Sequence, residues 1–257
     1  MDVQQTNDAD LTLVGPKDRF PKVTLMEPVA SGYVLLAAEI DHRPPVGYFI
    51  ESARKKRAIE IAKAFASEIV SLPDVREAVA FKTLIAPPGR GELLKRRPNV
   101  DVAKYDLVLL IECETPEAAQ ALKAGERFGE LLKQIEALSE KTLVLAARNA
   151  RRIGPVDHSR DGVFLFNYFY ADSLQQNLGI WEYTAGWFED QTGLDNSTLM
   201  LPEPGSETDF TIINHCRWNG LLDIMPSLIF KPSFRSFVLD NFEANDTAAS
   251  PILYRLA

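Results

Sequence analysis

One predicted strand of this 257-residue chain carries two side chains that could do chemistry. Residues 210–218 read FTIINHCRW, and His215 and Arg217 share one face of such an extended strand. An imidazole titrates near neutral pH and a guanidinium stays charged, so both are costly to bury beneath a helix unless they are fully paired. We therefore predict that this face lines an interior space that holds water or a small ligand.

Polar side chains near the ends of other strands could join His215. We expect the first and third strands of each repeat to lie side by side and parallel, so that their C-terminal ends meet. Asn167 and Phe169 would then lie beside His215. Glu39 and Glu112 would occupy the equivalent ends in the first repeat. One lumen would thus hold two carboxylates, an imidazole, a guanidinium and an amide.

This set of side chains suggests acid–base catalysis. His215 would act as the general base or acid, and Glu112 would orient it. Arg217 or Asn167 would stabilise an oxyanion. The expected ligand contacts are Asn167, Phe169, Glu39 and Trp187. The alternative is structural: Glu112 and Arg217 neutralise each other, His215 is a hydrogen-bonded core histidine, and the aromatic residues of helix 173–192 are core.

Other motifs are weaker. His42 and His158 follow aspartates in turns that also contain arginine, a context typical of exposed loops. The three histidines show no ligand spacing, so we predict no metal site. The sequence contains no nucleotide-binding glycine fingerprint, phosphate loop or nucleophile elbow. The basic loop 87–104 could attract an anion, but its charges are more typical of a solvated face.

Composition restricts the class of protein. Hydrophobic residues make up 46% and charged residues 25% of the chain, as in folded globular proteins. A net charge of −8 argues against nucleic acid or anionic lipid as the main partner. Cys113 and Cys216, the only cysteines, are expected to be reduced thiols. The sequence shows neither a signal peptide nor a membrane span, so we expect a cytoplasmic protein.

The predicted elements repeat in the same order. The first set is strand 32–40, helix 52–71, strand 75–85, strand 105–114, helix 115–139 and strand 142–153. The second set is strand 162–171, helix 173–192, strand 197–201, strand 210–218, helical stretch 221–242 and strand 252–256. We therefore divide the chain into an N-terminal arm (1–31), a first module (32–153), a linker (154–161) and a second module (162–257).

Similar residues at matching positions of the two sets support a duplication. The segment GYVLL at Gly32 resembles GVFLF at Gly162. An aspartate precedes Cys113 by seven residues, and another precedes Cys216 by the same interval. This alignment places Glu112 opposite His215.

The open faces of the two sheets must be covered. In a β-α-β-β-α-β module both helices pack on one face, yet strand 162–171 is apolar on both sides. The other module supplies the nearest cover, because sheets pack face to face. The predicted fold is therefore α+β, with two ferredoxin-like βαββαβ modules in tandem that form an intrachain α/β barrel.

This pattern resembles the dimeric α/β barrel superfamily, particularly its Dabb-like and antibiotic-biosynthesis-monooxygenase-like proteins. The segment PSFRSFVLDNF at 232–242 is similar to their second helix. Those proteins are usually single modules that pair between chains, whereas the chlorite-dismutase-like branch also carries both halves in one chain. The resemblance implies a monooxygenase, a cyclase, a haem enzyme or a protein without activity.

We expect a cofactor-free enzyme that acts on a small apolar or aromatic molecule in the lumen, of cyclase, lyase or monooxygenase type, with His215 at its centre. Two alternatives stay open. One is a haem protein of the chlorite-dismutase type, although that branch places its ligand on a helix and neither module offers a helical histidine. The other is a non-catalytic ligand-binding or assembly module. A homodimer is compatible with each.

Overall fold

The protein is an α+β barrel with its helices on the outside. A computed structural model describes residues 11–16, 19–44, 49–87 and 92–257. The first half contains β1 (Gly32–Glu39), α1 (Ala53–Ile69), β2 (Val75–Ile85), α2 (Glu92–Arg96), β3 (Leu107–Cys113), α3 (Pro116–Ala124), α4 (Glu126–Glu136) and β4 (Lys141–Gly154). The second half contains β5 (Val163–Ala171), α5 (Leu174–Thr192), β6 (Ser197–Pro202), β7 (Ile212–Trp218), α6 (Leu221–Phe230), a π-helical turn (Phe234–Leu239), α7 (Asp240–Ala244) and β8 (Thr247–Leu256).

The eight strands close into one antiparallel barrel in the order β1-β3-β2-β8-β5-β7-β6-β4. Each half contributes four neighbouring strands in the ferredoxin-like order. The pairs β2–β8 and β4–β6 join the halves. The predicted fold class is confirmed. The predicted parallel pairing is wrong, because β1–β3 and β5–β7 are both antiparallel.

Strand alternation separates a luminal core from two outer cores. Aromatic residues of β5 illustrate this, since Phe164, Phe166 and Tyr168 pack in the lumen while Val163 and Phe169 pack against helices. Both faces of the strand are thus buried, as its apolar sequence predicted. The lumen is filled by side chains from all eight strands and is a packed core.

Local signals explain several element boundaries. Thr115 caps α3 by accepting a hydrogen bond from the Ala118 amide, and Pro116 occupies the first helical position. The single helix predicted for 115–139 is instead two helices, because Gly125 adopts an extended backbone (φ −73°, ψ 151°) between them. The last strand begins at Thr247 and not at the predicted residue 252.

The N-terminal arm packs on the second half. The backbone amides of Thr12 and Val14 donate to the side chains of Asn245 and Asn241. Further along, the arm crosses α5 at Gly186, where a Cβ atom would lie 1.7 Å from the carbonyl oxygen of Pro21. The arm therefore forms part of the outer core. The boundaries of arm, modules and linker stay a prediction.

Within the described ranges, no helix combines the length and apolar character needed to cross a membrane.

Candidate functional site

His215 lies in the lumen, as the alternation of β7 predicted. Its side chain is buried among the rings of Phe81, Phe164 and Phe166. The Phe166 ring stacks on the imidazole with centroids 4.1 Å apart. The imidazole is therefore a polar group in an otherwise aromatic layer, and its two nitrogens require partners.

Two residues outside β7 supply a continuous hydrogen-bonded connection from His215 to the surface. His158 Nε2 lies 2.8 Å from His215 Nε2, and His158 Nδ1 lies 2.6 Å from Glu77 Oε2. His215 Nδ1 lies 3.0 Å from the carbonyl oxygen of Leu165. The Glu77 side chain is 42% exposed, whereas that of His158 is 7% exposed. We call Glu77, His158 and His215 the Glu–His–His triad.

The partners of the triad determine where its protons lie. The carbonyl of Leu165 can only accept, so His215 carries its proton on Nδ1 and accepts at Nε2. His158 must then donate from Nε2. Its Nδ1 faces the carboxylate of Glu77, which can only accept, so His158 donates from both nitrogens. The arrangement is thus an imidazolium at His158 between a carboxylate and a neutral imidazole.

Electrostatics agree with this assignment. Burial, and after it the positive charge at His158, hold the pKa of His215 well below its ordinary value. The hydrogen bond to Leu165 opposes this shift only in part. His215 is therefore a neutral acceptor at neutral pH, and a proton on it is stable only when a negative charge forms beside it.

Arg217 follows His215 on β7 but turns outward at the end of the barrel. Its guanidinium lies 5.9 Å from the centroid of the Phe164 ring and donates to Asn219 Oδ1 and to the carbonyl oxygen of Asp161. The guanidinium lines a surface cleft of about 470 Å³ together with Trp218. Arg217 is thus separated from the imidazole by an aromatic ring.

Glu112 reaches the same end of the barrel from β3. It accepts a hydrogen bond of 2.5 Å from Ser31 Oγ and lies 3.7 Å from Arg76. No ion pair joins it to Arg217 within the described part of the chain, so the predicted mutual neutralisation is wrong. Glu112 also does not contact His215, because Ser31 and Arg76 hold it at the rim.

Strand pairing corrects the alignment of the two halves. Tyr33 pairs with Glu112 in β1–β3, and Phe164 pairs with Arg217 in β5–β7. Because Tyr33 and Phe164 are both luminal and lie near the starts of their strands, Arg217 is the counterpart of Glu112. The predicted equivalence of Glu112 and His215 is wrong by two residues.

Four other predicted site residues lie elsewhere. Glu39 lies at the opposite end of the barrel, because antiparallel pairing places the end of β1 beside the start of β4. Asn167 and Phe169 point away from the lumen towards α5, since they alternate with Phe166 and Tyr168. Trp187 is buried under the π-helical turn, and its Nε1 donates to Ser233. The structure does not bring these four residues to His215.

Glu77 and His158 were not predicted from the sequence as site residues. The expectation that His158 decorates an exposed loop is wrong, because the short segment between β4 and β5 turns its imidazole into the barrel end. The position of Glu77 could have been predicted. Glu77 lies on the same face of β2 as Val79 and Phe81, both of which face the luminal core. No periodicity extends into the segment that carries His158, so pattern analysis could not locate it.

The triad does not fit a metal ion or a haem. Two histidine nitrogens bound to one tetrahedral zinc stand about 3.2 Å apart, since each Zn–N bond is about 2.0 Å, whereas Nε2–Nε2 is 2.8 Å here. Across the residues that the structure describes, no group of three His, Cys, Asp or Glu side chains could hold a metal ion. Both nitrogens of His215 already have hydrogen-bond partners, and three phenylalanine rings pack around the imidazole, so it offers no free nitrogen to a haem iron.

Comparisons with known proteins show the fold. No protein-family model matches the chain, and the search of curated proteins found no match. An anthrone oxidase-like protein superposes with a TM-score of 0.60 at 13% identity, covering 89% of this chain and 92% of that one. A mutant chlorite dismutase from Candidatus Nitrospira defluvii reaches 0.48 at 10% identity, covering 90% and 93%. A dye-decolorizing protein from V. cholerae reaches 0.47 at 10%, covering 90% and 95%. The first likeness establishes a shared fold and nothing finer.

Proposed function

We propose that this protein is an acid–base enzyme for a small aromatic or largely apolar molecule, and that His215 removes a proton from it. The observation that carries the proposal is the hydrogen bond between His158 and His215 at the end of the barrel. In this hydrogen bond the neutral imidazole of His215, which Leu165 orients, accepts the Nε2–H of His158. A substrate that replaces His158 would present its own acidic hydrogen to the same nitrogen.

The position of His158 defines a slot for a planar ring. Its imidazole lies against His215 with centroids 5.1 Å apart and against Phe164 at 5.6 Å, and it meets Phe81 edge to face at 5.5 Å. Aromatic walls in this arrangement favour another flat ring. Val156, two residues earlier, packs partly against the luminal core. The segment from Pro155 to His158 therefore covers this end of the barrel, and we call it the plug.

The proposed step exchanges one proton donor for another. When the plug moves outward, the substrate ring enters the slot and its acidic O–H or C–H replaces the Nε2–H of His158. The substrate bond to hydrogen breaks, its electron pair stays on the substrate, and His215 Nε2 gains the proton. The new anion stabilises the imidazolium beside it. His158 loses its own proton to solvent, returns neutral, and takes the proton from His215.

The comparison suggests which substrates to test first. The solved structure named anthrone oxidase-like shares this fold. Anthrone is a fused-ring ketone with an acidic C–H bond, so it meets both requirements of the slot. This agreement supports a choice of probe and does not extend to the later fate of the substrate anion.

Deuterium exchange tests the proton step directly. We expect the purified protein to accelerate exchange of the acidic C–H of anthrone in D₂O, followed by NMR. His215→Gln should abolish the acceleration while keeping the fold, because glutamine can still accept from His158 and donate to Leu165. Cys216→Ala, on the opposite face of β7, is the matched control and should retain it. Equal exchange rates with the wild-type protein and with His215→Gln would contradict the proposal.

One observation favours a second, structural role. His215 is buried and both of its nitrogens are occupied, as in a hydrogen-bonded clamp between β7 and the segment before β5. A clamp predicts that His158→Ala lowers stability and gains no aromatic ligand. The catalytic proposal predicts that the same variant binds planar aromatic probes more tightly than the wild-type protein, because the slot is then open.

A further inference from the structure

We propose that the cleft beside Arg217 binds the carboxylate of a small organic acid. The cleft has a volume of about 470 Å³, which suits a small ligand. Its lining combines Arg217 and Trp218 from the end of β7 with polar residues of the neighbouring loops. This site lies outside the lumen and does not rest on the catalytic role proposed for His215.

Arg217 carries a buried positive charge that no neighbouring carboxylate compensates. Arg217 is 7% exposed, yet its guanidinium forms no ion pair with a carboxylate of the described residues. Its hydrogen bonds go to two neutral acceptors, Asn219 Oδ1 at 3.1 Å and the carbonyl oxygen of Asp161. Its Nε has no hydrogen-bond partner there. Burying a cation in this way is costly unless an anion completes the site.

Neighbouring residues hold this guanidinium in place. The side chain of Asn196 bonds both the amide and the carbonyl of Arg217, each at 2.8 Å. A Cβ atom at Gly162 would lie 2.6 Å from the carbonyl oxygen of Trp218 and 2.7 Å from Arg217 Nε, so a glycine is required there. Phe164 supports the guanidinium from the barrel side. These contacts fix a planar donor that matches a carboxylate.

The other charges of the cleft limit the ligand to one negative charge. Arg160 is paired with Asp157, with Nε 2.6 Å from Asp157 Oδ2, so its charge is already offset within the cleft. Asp195 and Asp223 are exposed on the lining. They would repel a phosphate or sulfate dianion more strongly than a monocarboxylate. We therefore infer selectivity for acids such as acetate or benzoate over inorganic phosphate.

Ligand-observed NMR and calorimetry with acetate, benzoate and phosphate test the site on the full-length protein. We expect both carboxylates to bind at least about tenfold more tightly than phosphate. Arg217→Gln should weaken carboxylate binding by at least about tenfold, whereas Arg127→Gln, a matched control at an exposed arginine of α4, should leave it unchanged.

A second variant keeps the test decisive if Arg217→Gln fails to fold. Asn219→Asp retains the shape of the side chain and gives Arg217 a carboxylate of its own, so it should fold and lose carboxylate binding. Binding to Asn219→Asp as tight as to the wild-type protein would overturn the proposal, as would no binding of either acid to the wild-type protein at tens of millimolar. His215→Gln should bind both acids normally, which separates this proposal from the catalytic one.

Discussion

The buried neutral imidazole of His215 should make the protein sensitive to mild acid. In the unfolded chain a histidine titrates near pH 6.5, whereas burial and the charge at His158 lower the pKa of His215 in the folded state. Below about pH 6.5 the unfolded state therefore binds a proton that the native state does not bind. This contribution to stability is complete above that pH and is lost as the pH falls.

The size of the effect follows from one proton. Each pH unit costs at most about 1.4 kcal/mol, and integrating the titration of one unfolded-state histidine gives about 2 kcal/mol between pH 7.5 and pH 5. His215→Gln removes this titration and retains both hydrogen bonds. We expect the wild-type protein to lose about 2 kcal/mol more than this variant over the interval, in the free energy of unfolding.

Urea unfolding followed by tryptophan fluorescence and circular dichroism at several pH values measures this difference. Cys216→Ala is the control, because it changes the opposite face of β7 without removing an imidazole and should leave the acid sensitivity unchanged. If the unfolding free energies of the wild-type protein and His215→Gln changed equally with pH, His215 would not be a neutral imidazole with a lowered pKa. The assignment of protons in the triad would then be wrong as well.

Three further substitutions test the packing around the sites. His158→Ala should cost about 2–4 kcal/mol of unfolding free energy, from an unpaired His215 Nε2 and lost ring contacts; a cost near zero in urea would show that the hydrogen bond contributes little. Asn167→Leu should raise that free energy by about 1 kcal/mol, because the buried Asn167 Oδ1 has no partner among the described residues; calorimetric destabilisation would contradict this. Gly186→Ala should displace the arm at Pro21, seen as faster limited proteolysis of the N-terminal segment; unchanged cleavage would oppose it.

Much of the fold could be predicted because several strands are short apolar runs with clear ends. The bounds of β1, β2 and β7 follow from such runs, and the demand for cover on both faces of β5 led to the barrel. The sense of pairing could not be read from these patterns, because apolar runs look alike in parallel and antiparallel sheets. That error placed Glu39 at the wrong end of the barrel, whereas Asn167 and Phe169 were misplaced because the wrong face of β5 was assigned to the lumen.

The site was only partly predictable for a different reason. Alternation along β7 placed His215 in the lumen, and the same rule applied to β2 would have placed Glu77 on the luminal side. The position of His158 depends on how an irregular segment folds back after β4, and no period describes such a segment. Sequence reasoning therefore found one member of the triad and could have found two.

The triad draws on both halves and on the segment that joins them. Glu77 belongs to the first half, His215 to the second, and His158 to the connection between β4 and β5. The position equivalent to His215 in the first half is Leu110, since the pairs Leu35–Leu110 and Phe166–His215 correspond. A pair of identical single modules would lack that connecting segment and could not form the triad. The proposed chemistry therefore requires the two modules to be carried on one chain.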